Sequence, residues 1–219
     1  MSPVSRFGDC LLKTLEYEPG MVAVLQRHLA PGDTFIDLGS NEGFFAVIAA
    51  KLVGERGRVL AVEPQSRLQP VIAENLRLNH CQNVTVYRAL LGAECGMAAI
   101  TLNTEINPGA SSTCTEYMRG SSLLRTERLE CLTLEALLNR AQVDHCDLMK
   151  VDIEGAEWEM FWNAGSTLKS GRIRRMAVEL HNEILAARGL SGVDLHNYIL
   201  NSGYVLDDSL GHWVYSVRN

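Results

Sequence analysis

Short apolar runs alternate with amphipathic stretches along this chain, and their periods change at glycines. Residues 34–38, Thr-Phe-Ile-Asp-Leu, form an apolar run leading straight into glycine and polar residues, which predicts a strand. Phe44 to Val53 is apolar almost throughout, as for a helix pressed on a sheet, and Gly54 and Gly57 supply its stop and turn. Arg58 to Glu63 predicts a second strand. From Leu68 to Asn79, apolar residues at 68, 71, 72 and 76 mark one face of a helix. Ser66 is placed to cap it, and Pro70 falls in or near the first turn, where its missing N–H costs little. Val84 to Tyr87 predicts a third strand.

The later pattern is similar. Met97 to Leu102 is a weaker strand candidate. Residues Asn103 to Ser122 carry Pro108, Gly109 and a Ser/Thr cluster without a sustained period, which predicts a long loop. Helices are predicted over Met21–Leu29, Leu134–Arg140, Ala156–Trp162 and Val193–Asn201, and strands over Asp147–Ile153 and Ile173–Leu180. Gly203 breaks the last helix, and Tyr204–Leu206 with Trp213–Val217 reads as a closing hairpin. Strands alternating with helices predict an α/β fold: a mostly parallel, doubly wound sheet with helices on both faces, joined by right-handed crossovers.

Composition narrows the function classes. With 219 residues and 47% hydrophobic content, one α/β domain spanning 1–219 is expected, with 1–32 as an N-terminal helical cover and 103–122 as an active-site loop. The net charge of −6, with no run of Lys or Arg, sets nucleic acid aside as a partner. No stretch approaches the roughly 20 apolar residues that span a bilayer, and Met1 to Cys10 lacks a secretory core, so no membrane partner and a cytoplasmic location are expected. Six scattered cysteines form no close CxxC pair and read as structural thiols. Whether the chain self-associates into a homo-oligomer stays open.

The loop Asp37-Leu38-Gly39-Ser40-Asn41-Glu42-Gly43 carries the first candidate chemistry. It follows the first predicted strand, where a doubly wound sheet binds its ligand. Gly39 and Gly43 permit a tight turn and close backbone approach, and the N–H groups opening the Phe44 helix can hold an anion such as a carboxylate. Glu63, ending the second strand, is placed to accept two ribose hydroxyls. The loop is GxxxG rather than the GxGxxG of dinucleotide sites, which disfavours a nicotinamide-dependent oxidoreductase. Asp37 would oppose a pyrophosphate but suits the ammonium and sulfonium of S-adenosylmethionine. The candidate cofactor-binding set is Asp37, Gly39, Ser40, Asn41, Gly43, Glu63 and Ala89. The bland alternative is that Asp37 caps a turn and Glu63 is a solvated strand end.

Four motifs then point to one family. Phe-Ile-Asp-Leu-Gly-Ser-Asn-Glu-Gly-Phe-Phe (35–45), Val-Glu-Pro (62–64), Asn75 with Asn79, and Lys-Val-Asp-Ile-Glu-Gly-Ala-Glu (150–157) resemble the FkbM family of methyltransferases, in order, over roughly residues 17–217. The last motif is the most specific. Gly109-Ala110-Ser111-Ser112 also resembles a Ser-rich segment of the family, whereas Ser40-Asn41 stands where the family often has Ala-Asn. The resemblance implies a Rossmann-like class I methyltransferase fold, a seven-stranded sheet with a reversed final hairpin. It further implies S-adenosylmethionine as methyl donor and a hydroxyl acceptor on a sugar or secondary metabolite.

A second cluster is ionisable. Lys150, Asp152 and Glu154 alternate with Met149, Val151 and Ile153, so the charges share one face of a predicted strand. Charges on a central parallel strand must be paired or serve a ligand. Glu179 and His181 end the next strand alike. If the two strands are neighbours, Asp152, Glu154, Glu179 and His181 converge on the donor methyl. Asp152 or His181 is then the candidate general base, with Lys150 and Glu154 completing the catalytic set. The competing reading is a structural ion-pair network. A divalent cation, Mg²⁺ or Mn²⁺, on these side chains is the less favoured alternative, and no metal ligand is assigned. Glu157 and Glu159 read as acidic residues favouring a helix start. Tyr17 and Glu18 read either as cover for the cofactor or as a solvated turn. The expected activity is O-methylation of a small molecule or glycan, with N-methylation and a nonenzymatic S-adenosylmethionine-binding protein as alternatives.

Overall fold

A computed structural model describes residues 17–103, 124–207 and 213–218. The first helix, α1, spans Pro19–His28. It leads into strand β1 (Thr34–Leu38), helix α2 (Phe44–Val53), strand β2 (Arg58–Val62), helix α3 (Gln69–Leu78) and strand β3 (Val84–Tyr87). These match the predicted elements to within two residues. Pro70 does lie at the start of its helix. Ser66 does not cap it, however: its hydroxyl and its N–H both turn to Glu127 on a distant strand.

Beyond β3 the chain leaves the expected pattern. A short strand β4 (Leu90–Leu91), a long β5 (Gly96–Asn103) and β6 (Leu124–Leu132) form a separate sheet in the order β4-β6-β5. Sequence analysis found part of β5 and none of β6. Charged Arg125, Glu127, Arg128 and Glu130 interrupt the apolar positions of β6, while Leu129 and Cys131 alternate into a small core with Ile100 and Leu102. The expected active-site loop at 103–122, beyond Asn103, and residues 1–16 of the expected N-terminal cover lie outside the described residues.

The chain then returns through helix α4 (Leu134–Arg140), strand β7 (Leu148–Val151), helices α5 (Glu157–Trp162) and α6 (Gly165–Lys169), and strand β8 (Arg175–Val178). Thr133 caps α4 by accepting the Ala136 N–H. Helices α7 (Asn182–Ala187) and α8 (Gly192–Asn201) precede strands β9 (Tyr204–Asp207) and β10 (Trp213–Val217). Strands β7 and β8 are shorter than predicted. Asp152 and Glu154 therefore sit in the turn after β7 rather than on it, because Glu154 and Gly155 adopt positive φ (51° and 94°) and turn the chain away.

The main sheet has seven strands in the order β3-β2-β1-β7-β8-β10-β9. The first five are parallel, while β10 runs antiparallel to both β8 and β9, so the predicted closing hairpin is present. Alternation along each strand splits the core between its two faces. Ile36, Leu38, Leu60, Val62, Met149 and Val151 pack with α4, α5, α6 and α8 on one face. Phe35, Val59, Ala61, Leu148 and Ala177 pack with α1 and α2 on the other. Among the described residues no helix is long and apolar enough to cross a membrane.

Candidate functional site

Strands β1 and β7 are adjacent, yet the chain winds away from them in opposite directions, so a crevice opens at their carboxyl ends. The loop after β1 lines it, and its shape depends on two glycines. Gly39 and Gly43 have φ near +80°, and a Cβ on Gly39 would overlap the Asp152 carbonyl. Only glycine lets the loop after β1 pass the turn after β7. Backbone bonds fix the loop: Gly39 and Ser40 N–H both donate to the Val62 carbonyl at 3.0 Å, and Gly43 N–H donates to Ser40 at 2.8 Å. Asn75, one of the motif asparagines, donates its side-chain amide to the Glu42 carbonyl at 2.8 Å, holding the loop from α3.

Glu63 stands just past β2 and is buried. Its two oxygens accept the Asn41 and Gln65 N–H groups, each at 3.0 Å. Burial still pushes its carboxyl up to about 7 against those bonds. A cleft with about 630 Å³ of open space runs past Gly39, Asn41, Glu63 and Ala89 to Asp152 and Glu154. Leu90, Leu91 and Ile100 close one side, so the small sheet supplies a wall that sequence reasoning did not foresee. Ser40 lines a second recess with Tyr17, Phe44, Lys150 and Asp152, and Tyr17 is thus part of the site. Gly43 lines neither space; it sits at the start of α2 against Ile72.

A charged centre joins the two spaces through Asp152, which lines both, whereas Asp37 lies beneath and lines neither. Asp37 and Lys150 are direct partners across β1 and β7, fully buried on the same face. Lys150 Nζ is 2.8 Å from Asp152 Oδ2, 3.9 Å from Asp37 Oδ1 and 5.3 Å from the centre of the Phe45 ring. Burial opposes the lysine's charge, but Asp152 and Asp37 outweigh it and hold its pKa above the ordinary value. Neither Asp37 oxygen accepts a hydrogen bond within normal limits. Burial pushes its carboxyl up to about 6 despite the pull of Lys150 and a weak one from the Ala46 amide.

His181, the residue capping α7, completes the cluster. Its Nε2 lies 3.5 Å from Glu154 Oε2 and 3.7 Å from Asp152 Oδ1. Its Nδ1 lies 2.8 Å from Glu157 Oε1. Burial would lower the imidazole's pKa, but the Glu157 bond and the surrounding carboxylates together raise it to about 9. Burial pushes Glu154 up to about 7, only partly offset by His181, and also raises Glu179, which follows β8. Asp152, Glu154 and His181 each offer a ligand atom within 4.8 Å of the others, a donor set that a hard divalent cation accepts.

The four candidate catalytic residues are therefore brought together. Glu157 and Glu159 do open α5 as acidic first-turn residues, but Glu157 is also wholly buried and bonded to His181. Its place in the 150–157 motif was the available signal. Glu159 pairs with Arg188 instead of serving only the helix start.

The match to known proteins follows the same residues. The family model described as the methyltransferase FkbM domain matches residues 37–206, from the buried aspartate of β1 to the end of the last helix and into β9. The chain belongs to the FkbM methyltransferase family. Among curated relatives, a protein-L-isoaspartate O-methyltransferase of Caenorhabditis elegans is 33% identical over 60 residues, covering 27% of this chain and 27% of that protein. The chain thus spans about a quarter of the length of that relative. A solved FkbM methyltransferase from Methylobacillus flagellatus KT superposes with a TM-score of 0.57 at 14% identity, over 96% of this chain and 60% of that one. The precorrin-6y C5,15-methyltransferase of Geobacter metallireducens GS-15 gives a TM-score of 0.52 at 14% identity, over 89% and 77%. At such identities these structures carry the fold alone: this FkbM domain has the Rossmann-like class I methyltransferase architecture.

Proposed function

We propose that this FkbM protein transfers the methyl group of S-adenosylmethionine to a hydroxyl of a small metabolite or sugar. The observation that carries the reading is a single cleft, with Glu63 and the glycine loop at one end and Asp152 and Glu154 at the other, His181 standing against these two carboxylates. The site residues fit such a donor. Glu63 has a buried carboxylate with lone pairs to spare for a ribose, and the Gly39 backbone leaves no side chain in the way. Asp37, buried without a hydrogen bond, is a fixed negative charge suited to a cationic ligand.

S-adenosylmethionine supplies an activated sulfonium methyl. The protein's work is to align an acceptor oxygen, exclude water and take one proton. The oxygen forms its new bond to carbon as the carbon–sulfur bond breaks, and the hydroxyl proton passes to Asp152 or His181. Lys150 sets a buried positive charge beside Asp152 and Asp37. The described residues of the cleft wall do not specify an acceptor, and the chain's net charge of −6 speaks against a polyanionic one.

Asp152→Asn and His181→Ala separate binding from chemistry. Both variants are expected to keep the rise in melting temperature given by S-adenosylhomocysteine, about 2.7 kcal/mol of stabilisation at a hundredfold excess over Kd. One of them is expected to lose roughly a hundredfold or more in turnover, read as labelled methyl transfer to a panel of hydroxylated metabolites and sugars. Full activity in both variants, or stabilisation by NAD and not by S-adenosylhomocysteine, overturns the reading. Transfer to amines alone would replace the O-acceptor by an N-acceptor.

A further inference from the structure

The far side of His181, away from Asp152 and Glu154, holds a further carboxylate. Glu157 opens α5 and is wholly buried, 0% exposed. Its Oε1 accepts from His181 Nδ1 at 2.8 Å and from the Gly155 N–H at 3.2 Å, while Oε2 has no hydrogen-bond partner. Among the described residues its one ion pair is with His181. A buried carboxylate this poorly hydrogen-bonded is costly unless a neighbour repays it, and His181 is the neighbour in place.

The ring itself spans from this acid to two carboxylates that line the cleft. With Nδ1 tied to Glu157, the ring's only other nitrogen, Nε2, lies 3.5 and 3.7 Å from Glu154 and Asp152, the two residues lining the cleft wall. Which nitrogen carries the proton in a neutral imidazole follows from the bond the other makes. A carboxylate at Nδ1 accepts a proton and cannot donate one, so the neutral ring keeps its N–H there and leaves a lone pair on Nε2.

We infer that Glu157 is a positioning residue for His181, fixing its tautomer and ring orientation so that Nε2 receives the acceptor's proton. The inference rests on the methyl-transfer reading for its consequence in catalysis, but not for its geometry. As the acceptor oxygen takes the methyl, its proton moves to Nε2, and the imidazolium so formed is stabilised by Glu157 on its other side.

The charged groups facing His181 are Asp152 and Glu154 from the turn after β7, Glu157 from α5 and Glu179 from the end of β8, with Lys150 acting through Asp152. At the C-terminal end of α7, Arg188 is engaged by Glu159 and the Gly155 carbonyl. Removing one carboxylate from this set lowers the pH at which the ring loses its proton. A cationic donor in the cleft acts in the same direction and readies His181 as a base.

Glu157→Gln tests the inference on the intact chain. Ring-nitrogen NMR of His181, titrated with S-adenosylhomocysteine present, is expected to show a midpoint lowered by about one pH unit or more and a loss of the Nδ1–H preference. Turnover is expected to fall roughly ten- to a hundredfold, with acceptor KM and S-adenosylhomocysteine affinity within about threefold, and the rising limb of the pH–rate profile should move with the NMR midpoint. In a His181→Ala background the same change should cost little more, since the two residues act as one unit. Glu157→Asp, which keeps the charge, should restore most of the midpoint and serves if the glutamine variant folds poorly. An unchanged His181 midpoint overturns the inference, as does an equal loss of turnover with and without His181. The titration needs no acceptor, so its failure is distinct from a failure of methyl transfer.

Discussion

Asp37 shows how a single side chain trades stability for binding. Its carboxyl is raised from an ordinary 3.8 to about 6, so the native state holds a proton that the unfolded chain has already released between those values. Stability therefore falls as pH rises through that window and levels off above it. Glu63 and Glu154, at about 7 against 4.5, extend the decline towards neutrality. His181 acts in the same direction: its contribution is complete below 6.5 and is lost as pH rises through about 9. Asp37→Asn should thus melt higher than the parent at pH 8 and close to it at pH 4, while binding S-adenosylmethionine roughly tenfold or more weakly, the size of a lost charge interaction of about 1.4 kcal/mol. Melting curves at the two pH values check this, and a difference that ignored pH would remove the buried charge as its cause.

At the scale of elements, the turn after β7 does the most with the fewest residues. Glu154 and Gly155 both take positive φ, and a Cβ on Gly155 would run into the Ile184 side chain of α7. Gly155→Ala should cost about 1–3 kcal/mol in stability and more in turnover than that loss explains, because Glu154, Glu157 and His181 are all set by this turn and its packing on α7. Unaltered melting and turnover would show that the turn has slack. The segment from β1 to β3 was legible because its periods are clean and Gly39, Gly54 and Pro64 mark the ends of β1, α2 and β2. The turn was not, since Lys150, Asp152 and Glu154 alternate as a strand does, and only the packing of Gly155 against Ile184 shows where the strand stops. The small sheet was equally hidden. Glu127 looks like surface, yet it is buried and binds Ser66 and Arg88, which also explains why Ser66 is lost as a helix cap.

For the whole molecule, the seven strands and the reversed hairpin were legible from the family resemblance, and the loop after β1 from its glycines. The partnership of Asp37 with Lys150 was not, because neither period nor motif says which strands lie side by side. That pair stands on the two central strands, sheathed by a core on each face, so the charges have little room to relax. One consequence concerns the end of the reaction. Under the proposed function the donor carries a sulfonium charge that the product has lost, so an ionised Asp37 is expected to favour the donor over the product and a protonated one is not. Acidification from pH 8 to 5 should therefore weaken S-adenosylmethionine more than S-adenosylhomocysteine, and calorimetric titration of both across that range checks it: a ratio of affinities constant with pH would deny Asp37 this role. Spent cofactor would then be a stronger inhibitor in acid than at neutral pH, which makes one buried carboxylate on β1 a sensor of acidity for an enzyme whose chemistry takes place several residues away.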